Sequence, residues 1–363
     1  MKCSIDFILP GVPAPIGGFK VVYQHASILT MSGYDVSVQH VNPELHRKKG
    51  IRKLRSWIVF QLRRMVDRWR KYPAQYNVRY STSNFVRVSK AKIYVVASWQ
   101  LLEEMIQTDL IPKESIIHIA MDFPKYMGPE QNVIDSWKHP IPYIAISTHL
   151  AEKIKSLNPD AEVYYLPAVS GIQVPQKPRH GVNSCNFFCV LSTGRYKNFE
   201  NLIILLNKLS ESYTVRTFSR GPRPHALSSS VMHNSGQSDD FIAAGYCEAQ
   251  YSVSYSKFEG FGLPGFEAML SGCAVFTTDN LGNRDYAKFG ANCIKISGDD
   301  PIADFERITA VINGPPLLVD AVSKAAKEDT EAFLNANGPE AVLYAYRQAF
   351  DVLSIPPPNL RHR

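Results

Sequence analysis

The stretch Phe258-Glu-Gly-Phe-Gly-Leu-Pro-Gly-Phe-Glu-Ala-Met-Leu-Ser-Gly-Cys273 is the part of the sequence that best identifies the fold. The apolar run from Ala249 to Tyr255 predicts a strand that leads into it, and Pro264 suits the first turn of a helix. Three glycines, at positions 260, 262 and 265, keep side chains away, so backbone N–H groups can approach a ligand. A helix N-terminus with free N–H groups favours phosphate.

Two carboxylates, Glu259 and Glu267, flank this glycine loop. Carboxylates are natural acceptors for sugar or ribose hydroxyls, so a phosphate site between two hydroxyl-binding groups indicates a sugar nucleotide. The alternative is a tight turn from strand to helix, with Glu267 merely favourable near the start of the helix. The flanking acids favour the functional interpretation.

A dinucleotide site is a second hypothesis for the same stretch. The glycines at 260, 262 and 265 formally fit GxGxxG, and Asp279 follows the next predicted strand, where a dinucleotide fold keeps its ribose-binding acid. The helix from Pro264 to Ser271 is short for such a unit, and the motif lies deep in the second half of the chain. An NAD-dependent oxidoreductase therefore stays as an alternative.

Around this stretch, short apolar runs alternate with helical patterns, which predicts an α/β protein with mostly parallel sheets. A cluster of Pro and Gly between residues 167 and 181 predicts a linker. We therefore expect two Rossmann-like, doubly wound domains, residues 1–174 and 175–340. Residues 341–363 would be a C-terminal helix and tail that packs back on the first domain.

Composition limits the class of protein. The chain has 363 residues, 45% of them hydrophobic and 20% charged, which argues against a largely disordered chain. No apolar run is long enough to span a bilayer, the N-terminus lacks a signal-peptide pattern, and the six cysteines form no CxxC pair. We expect a cytoplasmic protein.

With these residues in view, the sequence resembles the retaining GT-B glycosyltransferases of family 4. The pattern from Glu259 to Glu267 resembles the family's E-x7-E signature, and the flanking sequence from Ser252 to Asp279 is also similar to that of the family. In the first half, Pro10-Gly11, Gly17-Gly18 and Ser32-Gly33-Tyr34-Asp35-Val36 resemble the family's first strand, glycine loop and helix. The segments 97–99, 121–123 and 146–148 resemble members that build rhamnose-containing polysaccharides.

The resemblance implies an α/β, GT-B fold in which two doubly wound domains face each other across a cleft. It implies transfer of a hexose or deoxyhexose, with retention, from a nucleoside diphosphate sugar to a glycan or lipid-linked acceptor. Glu259 would contact the donor sugar, and Glu267 would bind the ribose. Neither a catalytic metal nor a cofactor is expected. The groups implied to cradle the sugar and diphosphate are Gly17, Gly18, Gly260, Phe261, Gly262 and Leu263.

Two cations and two candidate catalytic groups follow from the same resemblance. Gly194-Arg195-Tyr196-Lys197-Asn198 is similar to the family's Gly-Arg…Lys segment, which neutralises the leaving diphosphate, although here Arg195 and Lys197 are separated by one residue only. Asp122 matches a position where it could orient or deprotonate the acceptor hydroxyl. His118 is the weaker candidate, since it also fits an ordinary strand histidine.

One segment makes the whole chain basic. Residues 47–71 contain eleven Lys or Arg and one acid, Asp67, whereas the formal net charge of the chain is +7. Apolar residues at three- and four-residue spacing predict a cationic amphipathic helix suited to an anionic membrane surface. Packing against the domain is a close alternative, and we expect no nucleic-acid partner. The residues assigned to the membrane surface are Arg52, Lys53, Trp57, Arg63, Arg64 and Trp69.

A non-catalytic protein is the remaining alternative. A sugar-nucleotide sensor would bind the donor without turning it over, and a nucleic-acid-binding protein would use the basic segment instead.

Overall fold

The computed structural model describes residues 4–11, 17–41, 58, 77–81, 93–107, 111–121, 130–169, 172, 185–236 and 239–354. The chain divides into two compact units, residues 1–171 together with 337–363, and residues 172–336. The predicted boundary at residues 174 and 175 lies outside the described residues. So do Asp122 and the basic segment 47–71, apart from Ile58.

The first unit is built on a parallel sheet, for which the described residues supply seven strands in the order β3-β2-β1-β4-β5-β6-β7. Every residue of the run Ile93–Val96 is buried, as expected for a parallel strand covered on both faces. The strands are β1 (Ser4–Pro10), β2 (Asp35–Val41), β3 (Asn77–Ser81), β4 (Ile93–Val96), β5 (Ile116–Ala120), β6 (Tyr143–Ala145) and β7 (Val163–Tyr165).

The helices of this unit are α1 (Gly17–Met31), α2 (Trp99–Gln107), α3 (Glu130–Ser136) and α4 (Thr148–Leu157). Helix α1 ends two residues before Gly33, which adopts a positive φ of 93°. Its inner face buries Val22, Tyr23 and Leu29. The helix thereby fixes the position of its N-terminus, Gly17 and Gly18, in this unit.

The second unit repeats the architecture, with six parallel strands in the described residues in the order β10-β9-β8-β11-β12-β13. The strands are β8 (Cys185–Val190), β9 (Val215–Ser219), β10 (Met232–Ser235), β11 (Ala249–Ser254), β12 (Ala274–Thr277) and β13 (Ile294–Lys295). The helices are α5 (Phe199–Leu209), α6 (Asp239–Glu248), α7 (Leu263–Leu270), α8 (Pro301–Ile312) and α9 (Pro316–Ala336).

The C-terminal segment contains a further helix, α10 (Pro339–Val352). Gly338 is extended and Pro339 starts this helix, so α9 and α10 are separate. Helix α10 belongs to the first unit, where the Tyr346 ring packs against Phe7 at 6.0 Å between centroids. None of the helices in the described ranges is long and apolar enough to cross a bilayer.

Candidate functional site

The candidate site of the second unit lies where the order of its strands reverses. Strand β8 is central, β9 and β10 lie on one side of it, and β11, β12 and β13 lie on the other. In an open parallel sheet, ligands bind at the carboxyl ends of the strands at such a switch point. The two loops that meet there are residues 191–198, after β8, and residues 255–262, after β11.

A backbone hydrogen bond and an ion pair join these two loops. The Lys257 N–H donates to the Tyr196 carbonyl at 2.7 Å. The Lys197 ammonium lies 2.6 Å from Oε1 and 2.7 Å from Oε2 of Glu259, and the two side chains are 18% and 13% exposed. The structure thus brings together two residues, Lys197 and Glu259, that the sequence predicted for different parts of a donor.

The backbone around Lys197 explains how it reaches Glu259. Arg195 to Lys197 form one 3-10 turn, in which the Lys197 N–H donates to the Gly194 carbonyl at 3.0 Å. Asn198 then adopts a left-handed conformation with φ 52°, which asparagine tolerates better than most residues, and helix α5 begins at Phe199. The Lys197 ammonium also lies 5.2 Å from the centre of the Tyr196 ring.

The glycine loop presents backbone donors at the start of α7. Gly262 adopts a left-handed conformation with φ 87°, and the helix starts at Leu263 with Pro264 in its first turn. The N–H groups of Phe261, Gly262 and Leu263 have no hydrogen-bond partner among the described residues. Consecutive free N–H groups at a helix N-terminus form a site for an anion.

A second loop, residues 280–286, supports the glycine loop from behind. The Glu259 N–H donates to the Asn280 carbonyl at 2.9 Å, and the Tyr286 hydroxyl donates to the Gly262 carbonyl at 2.6 Å. Burial, followed by the nearby Glu259 carboxylate, raises the pKa of Tyr286 well above its ordinary value, so this hydroxyl remains a donor. Gly282 approaches so closely that a Cβ there would lie 2.6 Å from the Glu259 carbonyl oxygen.

Sequence reasoning missed Tyr286 and Asn280, because nothing in their local pattern connects them with residues twenty positions earlier. The turn-forming run Asn280-Leu-Gly-Asn283 was the one available signal. In the structure the Asn280 and Asn283 side chains each accept a backbone N–H of the other, at 3.0 and 3.2 Å. These two hydrogen bonds hold the shape of the loop where it contacts Glu259.

Glu267 lies further along α7. Burial and then the charge of Glu267 raise the pKa of Tyr246. Arg220 follows β9 and was not predicted. Partial burial lowers its pKa, whereas the Asp239 and Glu267 carboxylates oppose that shift. A cation at the carboxyl end of β9 therefore interacts electrostatically with Glu267.

The first unit contains the remaining predicted residues. Gly17 and Gly18 form the N-terminus of α1, and a Cβ on Gly18 would lie 3.5 Å from the Met121 side chain, directly after β5. Asp122, the next residue, is outside the described residues. His118 is buried within β5, its Nδ1 lies 2.9 Å from the Val96 carbonyl, and burial lowers its pKa to about 4.

Two observations bear on the dinucleotide alternative. The fingerprint loop of a dinucleotide fold follows the first strand of the unit, whereas the glycine loop here follows β11, the fourth strand in chain order. Asp279, the proposed ribose acid, accepts from Arg284 Nε at 2.8 Å and Nη2 at 2.9 Å, and this pairing lowers its pKa. Neither feature favours a dinucleotide site.

In the parts of the chain that the structure describes, no cluster of three or more His, Cys, Asp or Glu side chains could hold a metal ion.

Comparisons with known proteins give structural matches only. No protein-family model matches the sequence, and no curated protein matches it. Sucrose-phosphate synthase from Thermosynechococcus elongatus is similar in structure at 13% identity, with a TM-score of 0.71 over 96% of this chain and 100% of that one. HepE from Anabaena, solved in complex with UDP-glucose, is similar at 12% identity and a TM-score of 0.67 over 97% and 99% of the two chains.

A glycosyltransferase from Rickettsia africae is similar at 13% identity, with a TM-score of 0.63 over 97% of this chain and 99% of that one. At these identities the likeness concerns the fold. The chain therefore has the α/β, two-domain GT-B fold that the sequence predicted.

Proposed function

We propose that this protein is a glycosyltransferase that uses a nucleoside diphosphate sugar as donor. The observation that carries the proposal is the arrangement at the switch point of the second unit. A Lys197 ammonium contacts the Glu259 carboxylate at 2.6 Å, and the free N–H groups of residues 261–263 follow Glu259 directly along the chain. A cation and an anion-binding helix terminus beside a carboxylate suit a diphosphate bonded to a sugar.

Each group has a role in the reaction that we propose. The bond between the anomeric carbon and the diphosphate oxygen breaks, and the acceptor hydroxyl oxygen bonds to that carbon as its proton leaves. Negative charge grows on the departing diphosphate, where Lys197, Arg195 and the N–H groups of the glycine loop would stabilise it. Asp122 is our candidate for the group that accepts the proton, with His118 as the weaker candidate.

The ion pair gives Glu259 a second role. Its carboxylate holds the Lys197 ammonium in place before the donor arrives, with both side chains largely withdrawn from water. When the donor binds, we expect the ammonium to be shared with the diphosphate, while the carboxylate accepts hydrogen bonds from sugar hydroxyls. Glu259→Gln should therefore reduce sugar transfer strongly and leave nucleoside diphosphate binding intact.

We infer retention of configuration, membership of glycosyltransferase family 4 with likeness to its rhamnan-building type, and transfer of a hexose or deoxyhexose without a metal or cofactor. The acceptor would be a glycan or a lipid-linked sugar in polysaccharide or glycoconjugate biosynthesis. The basic segment 47–71 would hold the enzyme at the cytoplasmic face of an anionic membrane.

A non-catalytic nucleotide-sugar binder is the second candidate. It would need the same Glu267 and helix terminus but would have no use for a Lys197–Glu259 pair placed at the leaving group. A protein that binds the donor and never consumes it, at any acceptor concentration, would favour this alternative.

The test is a thermal titration of the chain with UDP, GDP, dTDP, CDP and NAD. UDP comes first because HepE, which is similar in structure, was solved with UDP-glucose and with UDP and glucose. A ligand at a hundredfold its dissociation constant should stabilise the fold by about 2.7 kcal/mol, or about 5–10 °C for a unit of this size.

Two variants make the titration specific. Glu267→Ala should abolish the shift, and Glu306→Ala, an exposed acid on α8, should leave it unchanged. A shift with NAD alone would contradict the proposal, and so would equal nucleotide affinity in Glu267→Ala and wild type.

A further inference from the structure

A buried carboxylate in the second unit lies away from the donor groups and holds unusually many hydrogen bonds. Asp304, on α8, is 2% exposed. Its Oδ2 accepts from the Tyr255 hydroxyl at 2.6 Å and from the Gly298 N–H at 2.8 Å, and its Oδ1 accepts from the Ser297 N–H at 2.8 Å. The Ser297 hydroxyl donates a fourth hydrogen bond at 3.1 Å.

Such a carboxylate is costly to bury, because no Lys, Arg or His in the described residues forms an ion pair with Asp304. All four groups that contact Asp304 are donors, so a carboxylate, whose two oxygens only accept, satisfies them. An asparagine at this position would place its own N–H groups against N–H or O–H donors. Burial and then the Asp304 carboxylate raise the pKa of Tyr255, so that hydroxyl remains a donor.

The partners of Asp304 lead to both loops of the candidate site. Tyr255 directly follows β11 and lies four residues before Glu259. On the other side, Gly298 offers its carbonyl to the Asn198 side chain, and Asn198 is the left-handed residue directly after Lys197. One carboxylate therefore links the segment that ends in Lys197 with the segment that ends in Glu259.

We propose that Asp304 is a positioning residue, which fixes the relative placement of Lys197 and Glu259 through Gly298–Asn198 on one side and Tyr255 on the other. The proposal rests on the proposed function, since it assigns Asp304 an effect on sugar transfer. Asp304 itself touches neither Lys197 nor Glu259. A small displacement of either loop should matter, because an ångström of misplacement can cost about a hundredfold in rate.

The first experiment measures transfer and binding separately in Asp304→Asn and Tyr255→Phe. Each variant should lower kcat by about 10- to 100-fold and leave the UDP dissociation constant within about threefold. The kcat of the double variant should be no more than about threefold lower than that of the poorer single variant, because both substitutions break the same hydrogen bond between Tyr255 and Asp304. Ser297→Ala is the control, since the Ser297 hydroxyl contacts Asp304 and the Asp299 N–H but neither Asn198 nor Tyr255, and its kcat should stay within about twofold.

A merely structural role would give a different pattern. Asp304→Asn and Tyr255→Phe would then lower Tm while kcat per folded molecule stayed within about twofold of wild type. That result would overturn the proposal. Tyr255→Phe removes a single hydroxyl, so it keeps the test available if Asp304→Asn does not fold.

A second experiment needs no substrate and separates this proposal from the proposed function. The coupling between Lys197 and Glu259 is measured by a double-mutant cycle on the unfolding equilibrium, in wild type and in Tyr255→Phe. We expect a coupling factor of about tenfold in wild type and below about threefold in the variant. An unchanged coupling factor in Tyr255→Phe would refute the positioning role of Asp304. If the coupling is lost in this variant and the wild-type protein binds no nucleotide, only the proposed function is refuted.

Discussion

The ion pair between Lys197 and Glu259 makes a prediction about stability that does not depend on any ligand. Replacing Lys197 by Met keeps most of the side-chain volume and leaves the Glu259 carboxylate without the ammonium that contacts both of its oxygens at 2.6 and 2.7 Å. Removing one member of an exposed pair costs about 0.2–1 kcal/mol, and of a fully buried pair about 3–5 kcal/mol. At 18% and 13% exposure, we expect Lys197→Met to cost about 2–3 kcal/mol, nearer to the buried case.

The measurement is calorimetric unfolding of wild type, both single variants and the double variant. All four tryptophans lie in the first unit, at positions 57, 69, 99 and 137, so tryptophan fluorescence identifies the transition of that unit. The other transition, which reports residues 172–336, should fall by about 4–12 °C in Lys197→Met. In the double variant with Glu259→Gln, the loss of unfolding free energy should be about 1–2 kcal/mol smaller than the sum of the losses in the two single variants.

Lys324→Met provides the control, because Lys324 is 77% exposed and pairs with Glu328 at 3.9 Å on the surface of α9. Its effect should stay within about 0.5 kcal/mol. If Lys197→Met and Lys324→Met have equal effects, or if the double variant is additive, then Lys197 and Glu259 are not coupled. The proposed donor site would then lack its central contact.

Two further predictions concern the glycine support and the buried histidines. Gly282→Ala should lower sugar transfer by about a hundredfold, because its Cβ would lie 2.6 Å from the Glu259 carbonyl oxygen. The control Gly221→Ala has open space around its Cβ, and equal transfer rates in the two variants would contradict this account. Burial lowers the pKa of His118 to about 4 and of His25 to about 3, whereas both return to about 6.5 on unfolding. The unfolded state therefore binds more protons below pH 6.5, and stability falls as pH falls. His118→Gln should reduce the loss between pH 7 and 4.5 by about 2–3 kcal/mol, measured by tryptophan fluorescence; an unchanged loss would show that His118 titrates normally in the folded chain.

Much of the fold could be predicted from local pattern. The apolar runs that predicted strands at 4–9, 115–120 and 274–278 correspond closely to β1, β5 and β12, because a strand buried on both faces is mostly apolar. The short strand β10 (Met232–Ser235) was missed, since Met232 and Ser235 are exposed and its residues are mostly polar. The break between α9 and α10 is marked in the sequence by Gly338-Pro339.

Part of the candidate site could also be predicted. The glycines, Glu259 and Glu267 are found by sequence because they lie within one short motif around the start of one helix. Arg220, Tyr286 and Asp304 could not be found in this way. They are separated by tens of residues from the groups they support, and their local sequence is that of ordinary turns and helices.

The sequence by itself determined the alternation of strands and helices and the glycine loop at the start of α7, because hydrophobic periodicity and backbone freedom are local properties. Only the tertiary structure decided that the loops after β8 and β11 are neighbours, because strand order in a parallel sheet depends on how the whole chain crosses over. That neighbourhood pairs Lys197 with Glu259 and lets one buried carboxylate, Asp304, hold both loops. Interactions between side chains so far apart in sequence form only when the sheet forms.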